Sequence, residues 1–273
     1  MLAALVPLLI AAAEPPPPPL VGDIILHYVR SNQDGSEPEH VVQFRPTKTG
    51  IAVYKWVSKC TTAAYVTAEM DEEASEGRSF IAGKVAPDGT QAKFGTMALD
   101  PATPALTVDI TPPGGTRIQQ RHKLQQRPYL LYDFDFAELN AYVQEHPQEV
   151  HFSFLLPVIW PGEPSLFRDY GKLHANYDSD TIRDGRKVRV FFLGVEGPKS
   201  ATGMMWVDAA QGYIVEAELN LPNHAEYRDF RLKLERVEHG GQPAWDALTA
   251  SQYAGCPPPA PAAPPVKFQD QGS

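Results

Sequence analysis

The chain repeats one local pattern almost throughout: short runs in which aliphatic, β-branched and aromatic residues alternate with polar ones, bounded by turn residues. A period of two sends successive side chains to opposite faces, so each run reads as a strand with one side toward a core. Fourteen such runs occur, from Ile24–Arg30 to Tyr227–Glu238. Asp34-Gly35, Asp88-Gly89 and Asp184-Gly185 fall between runs. Asp-Gly is a dipeptide that accepts the positive φ of tight hairpin turns, so neighbouring strands should be antiparallel. In Ile51–Val57 both alternating sets carry bulk, with Ile51, Val53, Lys55 and Val57 on one side and Ala52, Tyr54 and Trp56 on the other. Such a run belongs inside a sheet. The absence of regular strand–helix alternation counts against a parallel doubly wound fold.

One segment has a different period. Phe136, Leu139 and Val143 lie on one helical stripe, Asp135 followed by Glu138 resembles a capping box, and Pro147 ends the run. The expected fold class is therefore mainly β: a curved antiparallel sheet or half-open β-barrel with one covering helix at about residues 136–146.

The ends differ from this body. Leu2–Ile10 is apolar apart from Pro7, Ala11 and Ala13 form an Ala-x-Ala site, and five prolines follow from Pro15 to Pro19, although no Lys or Arg precedes the run. That order predicts a secretory signal peptide over residues 1–13 and a proline-rich linker over 14–22. A single antiparallel β domain is expected over 23–256, and a proline-rich disordered tail over 257–273. The apolar run is too short for a hydrocarbon layer of about 30 Å, so no transmembrane span is expected. The predicted location is the periplasm or the exterior. There the two cysteines, Cys60 and Cys256, would form a disulfide tying the carboxy-terminal segment to an early strand.

A net charge of −9 and a pI near 5.4 argue against nucleic acid, which needs a basic face. The nearest basic cluster, Arg117, Arg121, His122, Lys123 and Arg127, reads as a solvated edge strand or loop. The eight histidines are scattered without a metal-binding spacing. Asp178, Asp180 and Asp184 have Ile182 where a calcium loop needs an oxygen donor. No nucleophile elbow, phosphate loop or other cofactor-holding motif is present. Asp133 and Asp135 are paired carboxylates suited either to acid–base work or to capping and ion pairing. Aromatic residues on strands, among them Tyr54, Trp56, Trp160 and Trp206, are candidates to line an apolar ligand site on a concave face.

The segment Thr202-Gly203-Met204-Met205-Trp206-Val207-Asp208, followed by Gly212-Tyr213-Ile214-Val215-Glu216-Ala217-Glu218 and the strand Tyr227–Leu234, resembles the final hairpins of LolA-like and DUF3108-like bacterial envelope proteins. The resemblance covers about residues 150–238 and implies a half-open β-barrel or clam that carries a lipid or lipoprotein. Three functions follow as expectations. The first is an exported envelope protein binding an apolar ligand or lipid moiety on a concave sheet. The second is an envelope hydrolase with a dispersed acidic and histidine site, for which Asp133, Asp135 and His151 are the candidates. The third is a non-catalytic scaffold that uses its proline tails.

Overall fold

In the computed structural model, which describes residues 21–112, 114–161 and 165–257, the strands form one open antiparallel sheet. The first meander comprises β1 (Ile24–Ser31), β2 (Glu39–Phe44), β3 (Gly50–Trp56), β4 (Ala64–Met70), β5 (Gly77–Val85), β6 (Gln91–Asp100), β7 (Ala105–Ile110) and β8 (Ile118–Lys123). The second comprises β9 (His151–Ile159), β10 (Phe167–Arg183), β11 (Arg186–Glu196), β12 (Ala201–Asp208), β13 (Ile214–Leu219) and β14 (Phe230–His239). Each strand pairs with the next along the chain within its meander, and β1 pairs with β14 to join the two halves. The free edges are β8 and β9. The Asp-Gly dipeptides sit in the β1–β2, β5–β6 and β10–β11 turns with glycine φ of 83°, 85° and 76°. At Gly89 the glycine has a second reason: an added Cβ would lie 2.7 Å from the backbone of Ala250.

The 27 residues between the meanders, 124–150, cross the concave side. They contain a 3₁₀ turn at Tyr132–Phe134 and helix α1 at Ala137–Glu145, where Ala137, Glu138, Leu139, Asn140, Ala141 and Val143 are buried. Asn140 shows why the helix is enclosed rather than merely laid across the sheet. Its Nδ2 donates to Tyr28 Oη at 2.9 Å and to Gln43 Oε1 at 2.8 Å, while its Oδ1 accepts the Ile214 amide at 2.9 Å. One side chain thus joins β1 and β2 of the first meander to β13 of the second. The main core surrounds this segment, with inward residues such as Tyr28, Val53, Phe80, Leu106, Phe154, Leu173, Phe191 and Leu232 all in one contiguous cluster.

The curvature brings the sheet's two ends within side-chain reach. His122 of β8 stacks on Phe167 of β10 at 4.6 Å and hydrogen-bonds Asp169 at 3.0 Å, and Gln120 Oε1 accepts the Leu166 amide at 2.8 Å. No main-chain ladder joins the ends, so the barrel is nearly wrapped but not closed.

A second helix, α2 (Gly241–Ala250), was not expected from the sequence. It has only Trp245 and Leu248 as large apolar residues, and Pro243 stands in its first turn, where a missing N–H costs nothing. Trp245 packs on the outer face of the sheet against Phe44 and Tyr65, within a separate cluster that includes Ile25, Val42, Ala52, Tyr54 and Val85. Both faces of β3 are therefore buried, one by the main core and the other by α2. Cys60 and Cys256 are disulfide-bonded just beyond α2 and fasten the carboxy-terminal segment to the β3–β4 turn.

Two local expectations need correction. Tyr129–Tyr132 is not a ladder strand: Tyr129 makes a single parallel bridge to Leu155 on the β9 edge, and Tyr132 has already entered the 3₁₀ turn. Asp135 does not cap α1. The N-cap is Phe136, which has no side-chain capping bond, and Asp135 and Phe136 are both left-handed, with φ of 51° and 55°. The carboxylates of Asp135 and Glu138 are committed elsewhere. The apolar run 1–13, most of the linker and most of the tail lie outside the described residues, and no described helix is long and apolar enough to cross a membrane.

Candidate functional site

The site is assembled from charges that stand in phase with apolar faces. On β1 the inward residues are Leu26, Tyr28 and Arg30, and on β3 they are Ile51, Val53 and Lys55. Each strand therefore ends its apolar stripe with a cation delivered into the interior. Opposite them stand Asp133 in the 3₁₀ turn and Asp135 immediately after it, held by the two left-handed residues that swing the chain into α1. Non-glycine residues in that conformation each cost about 1 kcal/mol or more, which the surrounding contacts offset.

Asp135 is fully buried. Its Oδ2 accepts from Lys55 Nζ at 2.8 Å, its Oδ1 accepts from Asn223 Nδ2 at 2.7 Å, and Arg30 Nε lies 3.7 Å away. Lys55 also donates to the Asp133 carbonyl at 3.1 Å. Arg30 donates to Asn223 Oδ1 at 3.1 Å and to Glu39, and its guanidinium lies 4.0 Å over the Tyr227 ring. The two cations are thus matched by two carboxylates, Asp135 and Glu39.

Burial and charge set the two aspartates apart. Burial alone would raise Asp135, but Lys55 and then Arg30 outweigh it and hold the carboxyl at about 2. Asp133 is pushed up to about 6, chiefly by desolvation, against the pull of the Ile159 amide on its Oδ1 at 3.0 Å and of Lys55. His224 is driven well below its ordinary value by burial, with Lys55 and Arg30 adding to the effect. Its Nε2 is buried without a hydrogen-bond partner. The cluster therefore holds one permanent carboxylate, one carboxyl that exchanges its proton near neutrality, and one neutral imidazole.

Beside these groups lies a cavity of about 260 Å³. Arg30, Lys55, Asp133 and His224 form its polar end, and Val66, Phe80, Ala82, Met97, Ile110, Phe134 and Ile159 are among its apolar walls. A pocket with a mostly apolar lining and a few convergent polar groups has the general form of a small-molecule site.

Of the residues singled out from the sequence, Asp133 and Asp135 come together here, and the four aromatic candidates do not. Tyr54 and Trp56 stack on each other at 4.3 Å on the outer face, in the cluster under α2, and Tyr54 Oη donates to Gln252 Oε1 at 2.5 Å. Trp160 is buried with the Arg168 guanidinium 3.9 Å over its ring. Trp206 is half-buried beneath Arg183 at 3.9 Å. His151 opens edge strand β9, exposed and hydrogen-bonded to Asn176 at 2.6 Å, so it takes no part in the aspartate cluster. Asp178 and Asp180 lie on β10, where Asp180 pairs with Lys187 at 3.2 Å. Arg30, Lys55 and His224 were missed. A lone charge in phase with an apolar face was the available signal for the first two. His224 lies outside any regular element and gave none.

No family model matches the chain, and no curated protein matches it. One solved structure, "Structure of PNGF-II in C2 space group", aligns over 80% of this chain and 28% of that one, at 6% identity and a TM-score of 0.28. The chain spans under a third of that protein's length, and a likeness at this level bears on neither fold nor activity.

Proposed function

We propose that the protein is an exported binding protein that holds a small amphiphile inside its curved sheet. The observation that carries this reading is the cavity of about 260 Å³, apolar along its walls and closed at one end by Arg30, Lys55, Asp133 and His224. Its position on the concave side agrees with the apolar-ligand role expected from the resemblance to envelope carriers, but its size is more restrictive. At roughly 30 Å³ per water-sized unit it admits about nine non-hydrogen atoms. That is a short chain, a ring or one arm of a larger lipid. Export is supported by the Cys60–Cys256 bond, since disulfides persist in oxidising compartments.

A ligand that binds only the folded state raises its melting temperature in proportion to ln(1 + [L]/Kd). A panel of amphiphiles with eight to ten non-hydrogen atoms should therefore contain members that stabilise the protein. Ala82→Trp, which places an indole in the cavity wall, should abolish the effect. If no member of the panel raises the melting temperature, or if Ala82→Trp responds like the wild type, the reading fails. Export predicts that the mature protein begins after Ala13, which amino-terminal sequencing reads directly.

A further inference from the structure

The polar end of the cavity has spare hydrogen-bonding capacity of a particular kind. Lys55 uses two of its three ammonium hydrogens, on the Asp133 carbonyl and on Asp135 Oδ2. A third is left for a guest. The His224 ring hydrogen-bonds the Asp133 backbone, and because Nε2 has no partner the bonded nitrogen is Nδ1. A carbonyl only accepts, so Nδ1 carries the hydrogen. In the neutral ring this leaves Nε2 as a bare, buried acceptor. One donor and one acceptor therefore stand open at the cavity's polar end, and a buried polar atom left unpaired costs about 1–3 kcal/mol until something pairs it.

Three kinds of head group can be weighed against this. A carboxylate cannot donate to Nε2, and it would add a negative charge beside Asp133, Asp135 and Glu39, which already match both cations. An ammonium cannot accept from Lys55, and it would meet Lys55 and Arg30 at close range with little water to screen them. A hydroxyl does both tasks without charge: its hydrogen goes to Nε2 and its oxygen accepts from Lys55. We infer that the cavity selects an uncharged alcohol head, with His224 as acceptor and Lys55 as donor, and an apolar body of about eight carbons against Val66, Ala82 and Met97. This rests on reading the cavity as a ligand site.

The test is a series of ligands with one body and different heads, measured by calorimetry on the full chain at pH 7.5: 1-octanol, octanoate and octylammonium, with toluene as a headless probe. The inference predicts that 1-octanol binds at least tenfold more tightly than either ion. His224→Phe should weaken 1-octanol at least fivefold and leave toluene unchanged. If toluene binds but octanoate or octylammonium equals 1-octanol, the alcohol preference is wrong and the cavity reading survives. If no compound binds, both fall. An equal loss of toluene and 1-octanol in His224→Phe assigns the histidine to packing and overturns its role as acceptor. Should that variant fail to fold, the comparison on the wild-type protein still determines the head group.

Discussion

Lys55 Nζ lies 2.8 Å from Asp135 Oδ2, an ion pair in which the carboxylate has no solvent exposure and the lysine almost none. Such a pair contributes little compared with an apolar pair of the same shape, but removing one partner leaves an uncompensated buried charge. Lys55→Met should therefore cost about 3–5 kcal/mol in urea unfolding, with Asp135→Asn in the same range. The double variant should be less destabilised than the sum of the two, because it leaves no orphan from this pair.

The same pair sets the acid limit of the fold. Asp135 titrates at about 2 in the folded chain against 3.8 when unfolded. Its contribution of about 2 kcal/mol is present above pH 3.8 and is lost as pH falls toward 2. Asp133 acts in the opposite sense, since it is raised to about 6. Between pH 3.8 and 6 the folded chain keeps a proton that the unfolded chain has lost, so stability falls as pH rises through this window and then levels off. The groups facing Asp133 are Lys55, Asp135, Arg30, Glu39, His224 and Glu138. Asp133→Asn retains an oxygen for the Ile159 amide and should gain on the wild type by at most about 3 kcal/mol from pH 4 to pH 6.5. Denaturant titrations at the two values measure this. A difference that does not change with pH would show that Asp133 ionises normally.

Most of the fold was legible because it is local. Period-two runs and Asp-Gly turns report strands and hairpins directly, and a meander pairs each strand with its sequence neighbour. What escaped depended on long-range contact. Ile118–Lys123 has no apolar alternation, and it is a strand because β7 offers a free edge. Tyr129–Tyr132 has strand composition but is buried on all sides, a setting in which periodicity carries no information. Tyr54 and Trp56 are strand aromatics as expected, yet α2 determines which side of the sheet they serve. At the site, Asp133 and Asp135 stood out as a pair, whereas their partners come from residues 30, 55, 223 and 224 and only the curvature brings them together.

The disulfide closes a sequence separation of 196 residues. In the chain-entropy model a loop of that length is worth about 5 kcal/mol at most, the value falling where the reduced chain keeps structure. Cys60→Ser/Cys256→Ser should lower the melting temperature by several degrees. Its earliest consequence should be local: α2 keeps only Trp245 and the Gln252 contacts to Tyr54, Ser58 and Thr61 to hold it on the sheet. Limited proteolysis should therefore cut the reduced or double-serine protein first near 250–256, while the wild type resists there.

The seam between β8 and β10 is held by side chains alone, whereas every other junction in the sheet has a main-chain ladder. A junction of this kind should open at lower free energy than the body of the fold, since it can part without breaking backbone hydrogen bonds. His122→Ala removes both the stack on Phe167 and the bond to Asp169, and Gln120→Ala frees the Leu166 amide. The double variant should raise amide exchange at Leu166 and through Ile118–Lys123 by about tenfold or more, equivalent to about 1.4 kcal/mol of local opening. Exchange at β1 and β14, whose ladder lies at the middle of the sheet, should stay within twofold of wild type. A uniform rise across all strands would show instead that the seam is part of the global cooperative unit, and that the sheet behaves as a closed barrel despite its missing ladder.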